Sequence, residues 1–559
     1  MEQKHLELFM NNFFRKNNYL LIFAVILVLS LFLRFNKINV NPPSLDWDEA
    51  SIGYNAYSLL KTGADEYGNK LPLDIRSFDD YKPPVYIYLD VPSILIFGLN
   101  ETGVRFPAAL FGFLSVVLIY FLVKELFNNL EKENREKLAL LSAFFLGVSP
   151  WHLQFSRAAF EGNIGLFFFM LGLLLFLKSF KNTKLAIISV ISFSLSIYSY
   201  HSFLLIVPLF MVILVLLFWK EIIANKKYYI ASLLIGLVFA APVLLSFTSI
   251  NGSSSRFSMV SLFASPDILN TSIKELEYDK SHGDLAGEVF HNRRVVYFLD
   301  TAKAYFDQWN PDFLFFHGDG GRQHHAVDMG MLYLWDFPFI LTGIYYLFKN
   351  RTKRNMLLVI IFLLAPLPAA VSTGTPHPVR AIAMVPGFTV FAALGFYSLF
   401  FSTGRIKKKI LLFIAVILFS VNFFYYLHQY YIDTLVIYGD FWQYGNKEAV
   451  QTAKEFENKY SKIIYTYKYD QPYIYYLFYN KVDPYWYQKN WNYSKTGQVE
   501  RMRRVIGKYE FRNIDWGRDS QLKNTLLIGS PQEIPANANG LLKTIYFLDG
   551  SVAFRIVGT

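Results

Sequence analysis

The chain has 559 residues, of which 53% are hydrophobic, 18% are aromatic and 17% are charged, with a formal net charge of +11. Soluble domains carry about 25% charged residues, so this composition favours a polytopic membrane protein over a large soluble enzyme. Cysteine is absent, which excludes disulfides, thiolate metal sites and cysteine nucleophiles. Basic residues of membrane proteins gather in cytoplasmic loops, so the positive charge is weak evidence for nucleic acid, and no nucleic-acid partner is predicted.

Long apolar runs recur down to about residue 427, and each is close to the ~20 residues that a membrane-spanning helix needs. The first run, YLLIFAVILVLSLFLRF, has no small-residue cleavage site after it, so it predicts a retained helix and not a signal peptide. The predicted spans are 18–35, 104–123, 138–155, 162–179, 184–199, 202–219, 228–248, 332–348, 355–371, 381–401 and 409–427.

The basic connections between these spans predict the orientation of the protein in the cytoplasmic membrane. If the N-terminus is cytoplasmic, the connections KELFNNLEKENREK, KSFKNTK, WKEIIANKK, FKNRTKRN and GRIKKK all fall inside. This requires that residues 85–99, which contain Asp90 and Pro92, form an interfacial helix and do not cross. The C-terminal region is then extracytoplasmic.

Two domains are predicted. Residues 1–427 form a transmembrane catalytic domain with outer loops 36–103 and 249–331, and residues 428–559 form a small extracytoplasmic α/β domain. In the second domain NKEAVQTAKEFENKY predicts a helix, and KIIYTYKY, NTLLIGS, LKTIYFLD and SVAFRIVG predict strands. Its aromatic run YKYDQPYIYYLFYNKVDPYWYQKNW fits sugar stacking or a membrane interface, and it fits packing in a small core at least as well.

The stretch LDWDEASIGYN, Leu45–Asn55, places three carboxylates just after the first span. A short amphipathic helix is predicted from Asp46 to about Gly63. Asp46 fits its N-cap, and Glu49, three residues later, completes a variant capping box. Asp48 lies in the first turn and has no such structural explanation, so it is the first candidate for a functional acid.

Cations and a further acid lie in the neighbouring outer segments. Lys82 of DDYKPPVYIY suits lipid-headgroup contact or phosphate binding equally. Arg105 of NETGVRFPAAL fits a phosphate ligand or an interface anchor. Arg157 and Glu161 of SPWHLQFSRAAFEGN would form a local ion pair if helical, or an acid and a base that face the same cavity as Asp48.

Three more outer segments hold polar residues. Tyr200 and His201 lie at a predicted turn, where a membrane-interface role competes with a site role. The glycine-broken segment 313–330 suits a gate or substrate loop; a metal site is the alternative, although the spacing matches no tight metal motif. The candidates in this segment and at the last outer turn are His317, Asp319, Arg322, His324, His325, Asp328, His377 and Arg380.

An outward cavity with a carboxylate and several cations suits displacement of a phosphate leaving group by a hydroxyl. The carboxylate would take the acceptor's proton, and the cations would offset the charge on the departing phosphate. No G-x-x-x-x-G-K-[ST] phosphate loop occurs in the sequence. Because nucleotide sugars are normally absent outside the cytoplasm, a lipid would have to carry the activated donor.

The motifs LDWDEASIGYNAYSLLKTGAD, DDYKPPVYIY and FGLNETGVRFPAALFGF, in this order, resemble the first outer loop of a known superfamily. It is the GT-C superfamily of dolichyl-phosphate-mannose protein mannosyltransferases and lipid A aminoarabinose transferases (glycosyltransferase family 39 and relatives). The resemblance covers roughly residues 18–427 and is strongest before residue 165. Loop 249–331 is too short for the lumenal sugar-binding repeats of the eukaryotic enzymes.

The resemblance implies an inverting transfer of a hexosyl or pentosyl group from a polyprenyl-phosphate donor to a hydroxyl of a protein, lipid or glycan. It implies Asp48 as the base with Glu49 beside it, matches Lys82 and Arg105 to basic positions of the loop, and makes His377 and Arg380 candidate phosphate contacts. Taken together with the outer turns, the candidate donor phosphate contacts are Lys82, Arg105, Arg157, His201 and Arg380. No metal ligand or cofactor is assigned, although a divalent cation between the acids and the phosphate stays open. The further candidates for substrate contact are Asp46, Tyr54, Glu161, Tyr200, His317, Asp319, Arg322, His324 and His377.

Two alternatives to this enzyme remain. A polytopic transporter or flippase of lipid-linked glycans would place ionisable residues near the membrane midplane. The predicted spans are nearly free of charge, which disfavours that class. A ligase or polymerase that transfers a whole glycan from the same carrier is hardly separable by sequence.

Overall fold

The computed structural model describes residues 2–78, 80–246, 261–264, 266–402, 405–490 and 504–559. The end of the predicted seventh span (247–248), residues 249–260 of the second outer loop, and Trp491 of the aromatic run lie outside the described residues. The described chain divides into two compact units. The first unit is Met1–Asn36, Leu110–Ser156 and Gly162–Tyr426, and the second unit is Lys37–Ala109, Arg157–Glu161 and Leu427–Thr559.

Helices dominate the chain up to residue 246. In order, the elements are α1 (Glu2–Phe35), α2 (Trp47–Thr62), β1 (Ile75–Ser77), β2 (Asp80–Lys82), α3 (Val85–Phe97), α4 (Glu101–Leu126), α5 (Lys132–Val148), α6 (Pro150–Phe155), α7 (Glu161–Ser179), α8 (Leu185–Ile197), α9 (Ser202–Leu217), α10 (Trp219–Ala224) and α11 (Lys226–Ser246).

The remaining described residues add helices and the strands of the C-terminal region. The helices are α12 (Pro266–His282), α13 (Leu285–Phe290), α14 (Arg293–Asp307), α15 (Asp336–Lys349), α16 (Met356–Leu364), α17 (Leu367–Ala370), α18 (Val385–Ser402), α19 (Arg405–His428), α20 (Thr434–Ile437), α21 (Asn446–Phe456), α22 (Pro472–Tyr479), α23 (Pro484–Asn490) and α24 (Trp516–Asp519). The strands are β3 (Lys462–Tyr465), β4 (Arg504–Ile506), β5 (Tyr509–Phe511), β6 (Thr525–Gly529), β7 (Leu541–Tyr546) and β8 (Val552–Gly558).

The apolar helices make this a multi-pass membrane protein. Among the described residues, six helices are long and apolar enough to cross a membrane, and four apolar helices are shorter. The predicted count of eleven crossings stays a prediction. Two predicted spans, 138–155 and 355–371, are broken in the structure because Pro150 begins α6 after α5 and Pro366 separates α16 from α17.

The first unit is built from packed apolar helices. Its helices α15 and α18 approach closely at Gly343 and Gly395. A Cβ on either glycine would collide with the backbone of the facing helix, at Phe391 and Phe339 respectively. Small residues of this kind let membrane helices pack backbone to backbone.

The second unit contains a six-stranded mixed sheet in the order β4-β5-β3-β6-β8-β7. Strand β3 pairs in parallel with β5 and β6, and the other pairs are antiparallel. Alternate apolar side chains form a core on the sheet that includes Ile464, Leu527 and Val557. The helix and the four strands predicted for the C-terminal region are present, whereas α22, β4 and β5 were not predicted.

Helix α2 of the second unit packs against α3, α22 and α23. Its contact with α22 is close because a Cβ at Gly53 would overlap the ring of Phe478. The helix ends at Gly63, which adopts the left-handed conformation (φ 71°) and donates its N–H to Leu59 O. The predicted extent of this helix is therefore confirmed, and it fixes where the three opening carboxylates lie.

Candidate functional site

The N-terminus of α2 carries the predicted capping box. The Asp46 carboxylate accepts a hydrogen bond from the Glu49 N–H at 2.8 Å, and the Glu49 carboxylate accepts one from the Asp46 N–H at 3.4 Å. Burial, with added repulsion from the Glu49 and Asp48 carboxylates, raises the pKa of Asp46 well above its ordinary value. Asp46 therefore caps the helix from a buried position, and its predicted contact with substrate stays a prediction.

Asp48 differs from its two acidic neighbours because its side chain is 49% exposed. The Lys82 ammonium lies 2.9 Å from one Asp48 carboxylate oxygen and 3.6 Å from a Glu161 carboxylate oxygen. The Lys82 side chain is itself only 6% exposed, at the end of β2 and directly before two prolines. The fold therefore brings together an accessible carboxylate, a buried cation and a second carboxylate from three separate chain segments.

Arg105 and Glu49 form a buried pair. The two carboxylate oxygens of Glu49 accept from Nε at 2.9 Å and from Nη2 at 2.7 Å of Arg105. The remaining guanidinium N–H groups donate to the backbone carbonyls of Ile38, Pro42 and Ser44. All five N–H donors of Arg105 are therefore engaged within the protein, and its contact with the donor phosphate stays a prediction.

Glu49 receives one more hydrogen bond, from the Ala159 N–H at 2.9 Å. The residue is 2% exposed, so its carboxylate ties α2 to α4 and to the turn that precedes α7. The carboxylate is both buried and saturated with hydrogen bonds in this arrangement, and the predicted catalytic role of Glu49 stays a prediction.

Arg157 lies in the turn between α6 and α7, and Glu161 is the first residue of α7. The condition of a continuous helix, on which the local ion pair between them depended, is therefore not met. Arg157 is buried and donates from Nε to the Tyr430 hydroxyl at 3.0 Å and from Nη2 to Asn41 O at 3.0 Å. Its guanidinium also lies over the rings of Tyr430 and Tyr431, at 5.3 and 5.2 Å.

Tyr54, whose contact with substrate stays a prediction, packs within the second unit. The residue is fully buried, and its hydroxyl donates to Val482 O at 3.1 Å. Its ring packs edge-on against Tyr487, with centroids 6.0 Å apart. Tyr54 therefore fastens α2 to the segment between α22 and α23.

The other predicted site residues lie in the first unit. His324 Nδ1 is 2.7 Å from an Asp319 carboxylate oxygen, and its ring centroid is 5.2 Å from that of His377. The ring of His325 is buried between the carbonyls of Ala326 and Asp319. His317 is exposed and paired with Asp312, while Arg322 and Asp328 are exposed.

The remaining candidates of this unit lie at turns. Tyr200 is buried and His201 partly buried just before α9. Arg380 donates from Nη1 to Ser372 Oγ and to Thr373 O, both at 2.6 Å. Within the described ranges, no group of three or more His, Asp or Glu side chains has the geometry of a metal site.

Sequence reasoning missed Gln443 and Tyr475, which contact the N-terminal turn of α2. Gln443 accepts a hydrogen bond from the Trp47 N–H at 2.9 Å, and the Tyr475 hydroxyl lies 3.3 Å from Leu45 O. A lone Gln or Tyr in a C-terminal segment matches no motif, so the sequence carried no signal that linked these residues to α2.

Comparison with known proteins agrees with this architecture. ArnT from Cupriavidus metallidurans has a TM-score of 0.53 in its apo crystal structure, at 12% identity and over 97% of this chain and 98% of that chain. The structure of the same protein bound to undecaprenyl phosphate has a TM-score of 0.51, at 12% identity, over 96% of this chain and 98% of that chain. Residues 81–245 match the family model described as dolichyl-phosphate-mannose-protein mannosyltransferase.

Two curated proteins are similar over shorter segments. The putative mannosyltransferase YkcB of Bacillus subtilis (strain 168) is 31% identical over 104 residues, which is 19% of this chain and 14% of that protein. An uncharacterized protein of Aquifex aeolicus (strain VF5) is 33% identical over 157 residues, which is 28% of this chain and 34% of that protein. Each match thus covers well under half of the relative.

The fold defines the class: this is a multi-pass α-helical membrane protein whose fold is similar to that of ArnT. More particularly, the match to the mannosyltransferase family model spans residues 81–245, which begin just before Lys82 and include Arg105, Arg157 and Glu161.

Proposed function

We propose that this protein is an inverting glycosyltransferase that moves a sugar from a polyprenyl-phosphate donor to a hydroxyl acceptor on the outer face of the cytoplasmic membrane. The observation that carries the proposal is the half-exposed Asp48 carboxylate held 2.9 Å from the buried Lys82 ammonium. The undecaprenyl phosphate bound by ArnT supports a lipid carrier for the donor.

In the proposed reaction Asp48 takes the proton of the acceptor hydroxyl while the hydroxyl oxygen attacks the anomeric carbon of the donor sugar. The bond between the anomeric carbon and the phosphate oxygen breaks, and the phosphate leaves with the electron pair. Attack opposite the leaving group inverts the anomeric centre in one step. Lys82, which faces the same site, offsets the negative charge that gathers on the lipid phosphate.

The other charged residues receive supporting roles in this proposal. Asp46 caps α2, and Glu49 with Arg105 holds the helix against α4, so that Asp48 is presented in one orientation. Glu161 shares Lys82 with Asp48 and would limit the freedom of the ammonium. Further donor phosphate contacts are proposed for Arg157, His201 and Arg380, and further substrate contacts for Tyr200, His317, Asp319, Arg322, His324 and His377.

The proposal also includes an orientation and a division of the chain. The N-terminus would be cytoplasmic, residues 1–427 would form the catalytic transmembrane domain, and residues 428–559 would form an extracytoplasmic domain. The basic connections between the apolar helices support this orientation. The transferred group is proposed to be a hexosyl or pentosyl sugar, and the acceptor a hydroxyl of a protein, lipid or glycan.

The test is a transfer assay with the purified full chain in nanodiscs. Undecaprenyl-phosphate-linked mannose, glucose and aminoarabinose are offered with protein, lipid and oligosaccharide hydroxyl acceptors, with and without a chelator of divalent cations. We expect one donor to give a product with an inverted anomeric centre and free undecaprenyl phosphate. Retention of the anomeric configuration, or movement of the donor across the membrane without bond cleavage, would contradict the proposal.

A further inference from the structure

Gln443 connects the segment before α21 to the first turn of α2. Its side-chain Oε1 accepts the hydrogen bond from the Trp47 N–H at 2.9 Å. Its Nε2 donates to Tyr469 O at 2.8 Å, which fixes the orientation of the amide. Gln443 is 4% exposed, so water does not compete for either hydrogen bond.

Tyr475 of α22 reinforces this connection. Its hydroxyl donates to Oε1 of Gln443 and lies 3.3 Å from Leu45 O, and the residue is fully buried. Leu45 and Trp47 flank the N-cap Asp46. The backbone on each side of the cap is thus held by side chains from the C-terminal part of the second unit.

The Trp47 N–H belongs to the first turn of the helix, whose N–H groups have no partner within the helix. Without Gln443, this N–H loses its acceptor, and the first turn loses its link to the Tyr469 backbone. Asp48 is the next residue along the chain. A displacement of about 1 Å of a reacting group can lower a rate by about 100-fold, so small movements of this turn matter.

We propose that Gln443 is a positioning residue for the sugar transfer, which holds the first turn of α2 so that Asp48 stays at its distance from Lys82. This inference rests on the proposed function, because it assigns Asp48 the role of base. It also makes the C-terminal part of the second unit a component of the catalytic apparatus through this one amide.

Gln488 of α23 offers a matched control, because it also contacts α2. Its Nε2 donates to Ser58 Oγ and Thr62 Oγ1 at 3.0 Å each, and to Asp65 O at 2.8 Å. Gln488 therefore also links the C-terminal part of the unit to α2, but at the opposite end of the helix from Asp48. A substitution at Gln488 removes a similar connection without touching the first turn.

The experiment compares Gln443→Ala with Gln488→Ala in the full chain. We expect Gln443→Ala to lower kcat at least tenfold with KM for the lipid donor changed less than twofold, and Gln488→Ala to leave both within twofold. A merely destabilised protein would not show this selective loss of kcat with KM preserved in only one of the two variants.

Hydrogen exchange at the Trp47 backbone amide provides a readout that does not depend on activity. We expect Gln443→Ala to accelerate this exchange at least tenfold, and Gln488→Ala to leave it unchanged. Unchanged kcat in Gln443→Ala, or an equal loss of kcat in both variants, would overturn the inference. If the wild-type chain transfers no sugar, the proposed function fails, while slow exchange at Trp47 in Gln443→Ala would separately refute the connection itself.

Discussion

The Lys82 ammonium lies 2.9 Å from the Asp48 carboxylate, with the cation buried and the carboxylate half exposed. A buried ammonium next to an accessible carboxylate fixes one partner and leaves the other open to an incoming hydroxyl. The pair is assembled from residues 34 positions apart in the chain, on β2 and on the first turn of α2.

Replacement of the proposed base should lower the rate of sugar transfer and leave the protein folded. We expect Asp48→Asn to lower kcat by about 10²–10⁴-fold, the usual contribution of general-base catalysis, with donor affinity nearly unchanged. Asp46→Ala is the neighbouring comparison: loss of the cap should cost about 0.5–2 kcal/mol of stability, seen as a lower melting temperature. Full transfer activity in Asp48→Asn would show that the base lies elsewhere.

Loss of the cation should act on the lipid phosphate. In Lys82→Gln, Asp48 and Glu161 lose their shared counter-charge and repel an anionic ligand. We expect binding of undecaprenyl phosphate to weaken at least about tenfold, equivalent to about 1.4 kcal/mol, as measured by competition with the donor. Lys447→Gln breaks the more exposed Lys447–Glu101 pair of the same unit and should leave binding unchanged; equal weakening in both variants would contradict the assignment.

Breaking the buried Arg105–Glu49 pair should lower the stability of the protein more than breaking a surface pair does. Removal of one partner from a buried pair typically costs about 3–5 kcal/mol because the other charge is left unpaired. We expect Glu49→Gln and Arg105→Met to lower the apparent melting temperature sharply. Lys137→Ala disrupts the more exposed pair with Glu133 and should cost less than about 1 kcal/mol. Native-like melting of Glu49→Gln would disprove the structural role.

Glu66 should make the second unit less stable as the pH rises. Burial raises its pKa to about 7 from an ordinary value of 4.5, although the nearby Arg504 and Arg76 oppose the shift. The folded state therefore holds a proton that the unfolded state has lost between these two values. Stability from this group is fully present below about pH 4.5 and is lost as the pH rises through about 7.

Melting temperatures measured from pH 5 to pH 8 test this prediction. We expect Glu66→Gln to flatten the decline, because the amide keeps its contact with Asn55 and carries no proton to release. Glu455→Gln, at an exposed position on α21, should keep the wild-type slope. A slope that is the same in all three proteins would assign the pH dependence to other groups.

Local rules explain what the sequence predicted well. The capping box at Asp46 and Glu49 and the stop at Gly63 depend on residues within one helix, so their pattern is readable directly. The strands β6, β7 and β8 are short runs in which apolar and polar residues alternate or nearly all residues are apolar. The breaks at Pro150 and Pro366 follow an equally local rule, but they were hidden because each lies within a long apolar run.

Burial explains what the sequence could not predict. Arg105 and Lys82 look alike as basic residues near prolines, yet the fold saturates every donor of Arg105 and leaves Lys82 beside an exposed acid. Tyr54 and Asp48 lie on the same short helix, one facing the packed C-terminal segment and one facing outward. No pattern in the chain marks Gln443 or Tyr475, because their partners lie hundreds of residues away.

The hydrogen bond between Trp47 and Gln443 joins residues 396 positions apart. At ribosomal speeds of about 5–20 residues per second, the acceptor is synthesised roughly 20–80 s after the donor. During that interval the acids of α2 have emerged without the amide that orients them. An incomplete chain that lacks Gln443 would therefore carry all three acids of this motif without the hydrogen bond that holds their turn. The three acids would reach their working arrangement only after the C-terminal segment has been synthesised.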